Sequence, residues 1–389
     1  MSRRLSFYVH IPYCVKRCGY CDFNTYTPTD LLSQSSTNND SAGVQTVANG
    51  YIDLVIQEIE LARRTVGKAS VPTIFFGGGT PTLLPARDLV RIVDAISGRF
   101  SLERRCEITV EANPDSVTKE SLATLRAGGI NRISFGMQSA VPHVLKVLDR
   151  THRSENLVSA TQWAKEVGFD HISVDLIYGT PGESLNDWKV SIDAALALPI
   201  DHISAYALIV EQGTKLARQV NSGEITMPDD DETAEKYRMA DDSFSQAGFT
   251  WYELSNWARP GGECRHNIAY WQNSEWWGLG PGAHSHIENS RWWNVKHPNT
   301  YRAKITANET PIQEREELSL DNQRTENLML AIRMKAGIAL KNLSEEQCVA
   351  AEKYVGSEHL DLEKWERGAL VLTQSGRLIA DRIVRELLV

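Results

Sequence analysis

Apolar and polar positions divide the chain into short strand-like runs and longer amphipathic stretches. Phe7-Tyr-Val-His-Ile11 alternates as a strand does, within a first strand predicted at 5–11. Further strands are predicted over 72–76, 106–111, 130–136, 171–177 and 202–209. Ile52, Val55, Ile56, Ile59 and Ala62 recur at i, i+3, i+4 and i+7, the spacing of one apolar helix face. Helical patterns also fill 86–98, 118–127, 155–167, 185–197 and 231–247. Strands that alternate with helices imply a parallel sheet. Val174-Asp-Leu-Ile-Tyr178 is mostly apolar, as a strand covered on both faces should be. The predicted fold is α/β: an open six-stranded parallel (β/α)6 barrel with its chemistry at the C-terminal strand ends.

The remaining stretches carry different textures. Residues 28–50 are rich in Ser, Thr, Asn and Asp and read as a mobile surface loop. After about residue 312 comes a charge run, Glu314-Arg-Glu-Glu317, then helical patterns at 321–335 and 344–354. Ala369-Leu-Val-Leu-Thr373 reads as a strand, followed by a helix faced by Ile379, Ile383 and Leu387. This order resembles a small winged-helix-like C-terminal domain. The expected division is a barrel over 1–230, an extension over 231–312 and the C-terminal domain over 313–389.

Composition narrows the function classes. The 389 residues are 42% hydrophobic and 23% charged, as in an ordinary globular protein. A net charge of −9, with no basic stripe in the tail, argues against nucleic acid as a partner. No run of 18 apolar residues could span a membrane. Ser2-Arg-Arg4 is not followed by an apolar stretch, so it does not read as an export signal. Seven of the ten tryptophans fall between 251 and 293, either as a thick core or as a platform for a large flat ligand.

Three of the six cysteines lie together in Cys14-Val-Lys-Arg-Cys18-Gly-Tyr-Cys21. Thiolates so spaced bind Zn or an iron–sulfur cluster. Three cysteines leave one iron of a [4Fe–4S] cube open, whereas a structural Zn would need a fourth protein ligand. Free clustered thiols suit a reducing cytoplasm. Cys106, Cys264 and Cys348 are isolated and read as inert, although Cys264 lies two residues before His266.

The strand running into this loop, and Phe75-Phe-Gly-Gly-Gly-Thr-Pro-Thr82 downstream, resemble the radical S-adenosylmethionine (SAM) superfamily. The resemblance implies a [4Fe–4S] cluster on Cys14, Cys18 and Cys21, its open iron chelated by SAM. Polar groups at successive predicted strand ends suit such a ligand. Gly78 and Gly79 let backbone approach it. Glu111, Gln138, Asp175 and Arg150, the last expected in a helix, supply charge and hydrogen bonds.

The motifs H-I-P-Y-C-V-K-R-C-G-Y-C-D-F-N, V-E-A-N-P, S-F-G-M-Q-S, V-D-L-I-Y-G-T-P-G-E-S and G-L-G-P-G-A-H-S narrow the likeness. They resemble the oxygen-independent coproporphyrinogen oxidase-like branch, in that family's order. By that similarity Tyr8, Tyr20, Gly78, Gly79, Thr80, Glu111, Gln138, Arg150 and Asp175 fall on SAM-site positions. The branch holds decarboxylases and haem chaperones. The decarboxylases resemble C-x3-C-x2-C-x-C with a longer arm before the cluster; here Phe23 stands at the extra cysteine and 13 residues precede Cys14. The chaperones carry H-N-x-x-Y-W, matched by His266-Asn-Ile-Ala-Tyr-Trp271.

The resemblance therefore implies a haem chaperone, with coproporphyrinogen III oxidase as the alternative. Its partners would be haem and recipient haemoproteins, respiratory ones among them, and a homodimer is compatible with it. His266 is the candidate axial ligand and Tyr270 and Trp271 the porphyrin's apolar neighbours; the competing reading of His266 is a core histidine. His284, His286 and Cys264 are weaker candidates.

Overall fold

A computed structural model describes residues 3–32, 38–150 and 154–388. Six parallel strands lie side by side in chain order: β1 (Ser6–Ile11), β2 (Ala69–Gly78), β3 (Ser101–Ala112), β4 (Arg132–Gln138), β5 (His171–Tyr178) and β6 (His202–Ala207). The predicted helices follow their strands within a residue or two, so hydrophobic periodicity located these elements well.

The strands are less uniformly apolar than strands covered on both faces should be. One face of each packs under the helices through residues such as Phe7, Ile74, Val110, Ile133, Val174 and Ile203. The other carries polar groups that bond to one another across the sheet. The Thr73 hydroxyl donates to Ser6 at 2.8 Å, Ser134 to Asp175 at 3.0 Å, and Ser173 pairs with His202 at 2.7 Å.

The sheet does not stop at the sixth strand. β7 (Thr250–Glu253) and β8 (Asn256–Ala258) form a hairpin, and β8 adds antiparallel to β6. At the opposite edge β9 (Trp276–Leu279) runs parallel to β1, with Trp276 opposite Ser6 and Leu279 opposite Val9. β10 (His284–Ile287), β11 (Ser290–Asn294) and β12 (Ile312–Glu317) continue it antiparallel. The tryptophan-rich segment is thus continuous with the barrel sheet. Trp257, Trp277 and Trp292 are core, whereas Trp271 and Trp276 line a cavity.

The 28–50 stretch differs from the expected loop. Helices Pro28–Leu31 and Ser41–Val47 form in it, Asp40 capping the second, and Val44 is fully buried; residues 33–37 lie outside the described residues. In the tail, helices Leu320–Ala331, Glu345–Gly356 and Ala380–Leu387 enclose a second core around Leu328, Ile332, Tyr354 and Ile383. Its sheet is only the pair β13 (Ile338–Ala339) and β14 (Ala369–Leu370). Arg377 of the tail meets Asp241 of helix Asp230–Gln246 with two bonds at 2.9 and 2.6 Å and fastens the two cores together. Among the described residues no helix is long and apolar enough to cross a membrane.

Candidate cluster and ligand site

The cysteine loop leaves β1 and is fastened to the end of β2. The Gly79 N–H donates to the Ile11 carbonyl at 2.7 Å and the Thr80 N–H to that of Tyr13 at 2.9 Å. Cys14 N–H donates to Tyr26 at 3.0 Å, closing the loop on itself. A Cβ at Gly79 would lie 2.5 Å from the Tyr13 carbonyl oxygen. That glycine is therefore required by the loop's own backbone, besides any ligand. Gly78, at φ 108°, would set a Cβ 2.5 Å from the His10 ring.

All three cysteines are free thiols and partly buried. Burial pushes the Cys14 thiol up to about 12, the Thr80 hydroxyl at 3.9 Å partly offsetting it. A thiol so raised becomes a thiolate ligand only when a metal displaces its proton. Among the described residues no three Cys, His, Asp or Glu side chains converge to hold a single ion. Three thiols on one loop with no fourth protein ligand beside them in sequence fit a cube, which gives each thiolate its own iron and leaves one open.

The polar strand-end residues gather beside this loop. Arg150 lies past the short helix Pro142–Val147 rather than within a helix. Its Nη1 reaches Cys18 Sγ at 3.7 Å and Nη2 donates to the Gly136 carbonyl at 3.0 Å; among the described residues Nε is buried without a partner. Gln138 ends β4 with φ 61°, an uncommon value for a non-glycine residue. Glu111 Oε2 accepts the Gly78 N–H at 3.2 Å. Burial first, then the neighbouring Asp175 carboxylate, push Glu111 up to about 8. Burial also raises Asp175, against hydrogen bonds from Ser204 and Ser134. Two half-buried carboxylates beside glycine-edged backbone fit a ligand that brings positive charge, as SAM does. Tyr8 stacks on Phe75, and Tyr20 packs near Val144 and Leu148.

Two residues quoted only as parts of motifs prove structural. Asn24 donates through Nδ2 to the carbonyls of Pro281 at 3.0 Å and Lys296 at 2.9 Å, tying the cysteine loop to the G-P-G-A-H turn. Its own carbonyl meets His10 Nε2 at 2.9 Å. The sequence signalled both only as letters in a signature, because Asn24's partners lie more than 250 residues away and His10's lies in the cysteine loop, off its strand.

The His266 motif behaves otherwise than expected. Helix Arg265–Trp271 packs against the polar face of β2 and β3, its first N–H groups accepted by buried Glu107 at 3.1 and 2.9 Å. His266 Nδ1 meets Thr73 at 2.7 Å and Nε2 meets the Tyr270 hydroxyl at 2.9 Å. With Thr73 donating to Ser6, this network assigns Nδ1 as donor and leaves the Nε2 lone pair to Tyr270. Burial lowers His266 to about 3, and the ring is neutral, fully engaged and stacked on Phe75 at 5.2 Å. In this arrangement both ring nitrogens are engaged, as in the competing reading of His266 as a core histidine. Cys264 is buried with its thiol 3.6 Å from Glu107, in keeping with an inert thiol.

Tyr270 and Trp271 do reach open space. A cavity of about 1400 Å³ joins Cys18 and Cys21 to Tyr270, Trp271, Trp276 and His284, exceeding the roughly 300–1,000 Å³ of ordinary small-molecule sites. Its further wall is helix Leu320–Ala331, through Glu326, Met329 and Leu330.

A parallel barrel whose first strand leads into a three-cysteine loop beside a glycine strand end is the architecture of a radical SAM protein. The Radical SAM superfamily pattern matches residues 8–195. Coproporphyrinogen III oxidase (HemN) from Escherichia coli, described as a radical SAM enzyme, superposes with a TM-score of 0.82 at 22% identity, covering 99% of this chain and 90% of that one. The chain is 46% identical to the heme chaperone HemW of Mycobacterium tuberculosis over 381 residues, 98% of this chain and 94% of the relative. It is 33% identical to heme chaperone HemW of Bacillus subtilis, over 97% of each. The chain belongs to the HemW family within the radical SAM superfamily. Superfamily membership implies a [4Fe–4S] cluster and SAM, which the thiols and half-buried carboxylates fit.

Proposed function

We propose that the protein is a haem chaperone, holding haem and passing it to recipient haemoproteins from a radical SAM scaffold. The observation that carries this is 46% identity to a HemW chaperone over 98% of the chain, beside the chain's own H-N-I-A-Y-W motif. Cys14, Cys18 and Cys21 would hold the cluster. Gly78, Gly79 and Thr80 would offer backbone and hydroxyl to SAM, Glu111 and Asp175 its cationic groups a counter-charge, and Arg150 its carboxylate a cation. Tyr8, Tyr20 and Gln138 complete that lining. When bound, the cluster would supply a redox-active iron centre, and SAM would fill the one iron position that the three cysteines leave open.

Haem fits the cavity beside that centre. Tyr270 and Trp271 give a flat apolar ring a face to lie on, and burial of apolar surface contributes about 25 cal/mol per Å². His266 acts by fixing Tyr270. The recipients are read as respiratory haemoproteins, the compartment as the cytoplasm and the assembly as a homodimer.

The test is a haem titration of cluster-loaded protein beside an assay for coproporphyrinogen decarboxylation. One-to-one haem uptake, delivery to a haem-free acceptor and no decarboxylation are expected. Turnover of coproporphyrinogen, or no haem uptake, would overturn the reading.

A further inference from the structure

The cavity contains a histidine that the H-N-I-A-Y-W motif does not include. His284 begins β10, and its ring is exposed where it lines the cavity with Trp276 and Met329. The ring stacks on Trp293, its cross-strand partner, with centroids 5.7 Å apart and planes at 23°. Its main-chain carbonyl accepts the Trp276 indole N–H at 2.9 Å. Among the described residues neither ring nitrogen has a hydrogen-bond partner, so a lone pair is available, in contrast to His266. His286, two residues on, is buried and packs edge-on against Trp276.

Charge around His284 completes a match to haem. Lys296 also lines the cavity and has no carboxylate partner among the described residues. Arg291 is already held by Glu316 at 2.8 Å and Glu326 at 2.9 Å. Haem carries two propionates, which a cation at the cavity wall can meet by a charge-assisted bond.

We propose that His284 is the protein ligand to the iron of bound haem and that Lys296 receives a propionate. The inference rests on the haem-chaperone reading and gives that site its ligand. Binding forms an iron–imidazole bond in place of a weakly held water and leaves the iron's oxidation state unchanged. The Trp293 ring beneath fixes the imidazole plane, and Tyr270, Trp271 and Trp276 form the apolar wall.

The test is titration of the cluster-loaded full chain with ferric haem, read by the Soret band and by electron paramagnetic resonance of the iron. Wild type is expected to give a nitrogen-ligated spectrum. His284→Gly should shift the Soret band and weaken affinity at least about tenfold, roughly 1.4 kcal/mol. Added imidazole should restore the spectrum, which a merely misfolded variant would not allow. His284→Cys should give a thiolate-type spectrum, and Lys296→Gln should weaken affinity with the ligand spectrum unchanged. His286→Ala should keep the wild-type spectrum. Unaltered spectrum and affinity in His284→Gly would overturn the assignment, as would loss of nitrogen ligation in His286→Ala. Failure of wild type to take up haem would instead remove the chaperone reading on which it stands.

Discussion

Single side chains decide the cluster site. With three thiolates for four irons, loss of any one leaves two. Cys14→Ala, Cys18→Ala and Cys21→Ala are each expected to lose the broad visible absorbance of the cluster after anaerobic reconstitution, whereas Cys106→Ala and Cys348→Ala keep it; iron analysis checks this. Glu111 yields a prediction with a definite sign. Its folded pKa of about 8 stands above the ordinary 4.5, so the folded protein keeps a proton that the unfolded chain has lost across that window. Its contribution to stability is therefore greatest at low pH and falls as pH rises from 4.5 toward 8. A cationic ligand favours the ionised form, so SAM should bind more tightly as pH rises toward 8, releasing a proton. Calorimetry in buffers of different ionisation enthalpy measures that proton. Glu111→Gln should abolish the dependence and weaken SAM by about 1.5–3 kcal/mol, the worth of a charged hydrogen bond.

At the scale of elements, the tail is held by a buried ion pair. Arg377 and Asp241 are at most 9% exposed, and Asp241 also accepts the Trp257 indole N–H at 2.8 Å. Removing one partner strands the other charge, at a cost of roughly 3–5 kcal/mol. Arg377→Met should lower the free energy of unfolding by that amount, and adding Asp241→Asn should recover part of it. Chemical denaturation of the two variants checks both statements. Since helix Leu320–Ala331 walls the cavity, the single variant should also weaken haem binding.

For the whole molecule, the sheet that crosses residue 230 carries a consequence. β1 has β2 on one side and β9 on the other, and Asn24 ties the cysteine loop to the turn before β10. A fragment ending at 230 would expose the edge of β1 and lose those bonds. It is therefore expected to be insoluble or to lack a cooperative unfolding transition, while the full chain unfolds barrel and extension together. Far-UV circular dichroism during denaturation distinguishes the two.

The sequence by itself determined the six parallel strands and their helices, because apolar periodicity is a local signal. It also marked the cysteine loop and the strand-end residues Glu111, Gln138 and Asp175, which interrupt apolar runs. Only the tertiary structure decided what those residues face. The polar inner face of the strands was illegible because its partners, such as Thr73 with Ser6 or Ser134 with Asp175, sit on different strands. Helices within 28–50 were hidden by polar composition, since Asp40 as a cap and Val44 as an anchor act through contacts rather than periodicity. His266 shows the difference most plainly. Residue type alone favoured a core histidine and the family resemblance made it a candidate ligand, but a lone pair is free or taken according to what lies within 3 Å. Thr73 and Tyr270 take both nitrogens of His266, while the fold leaves those of His284 open to the cavity.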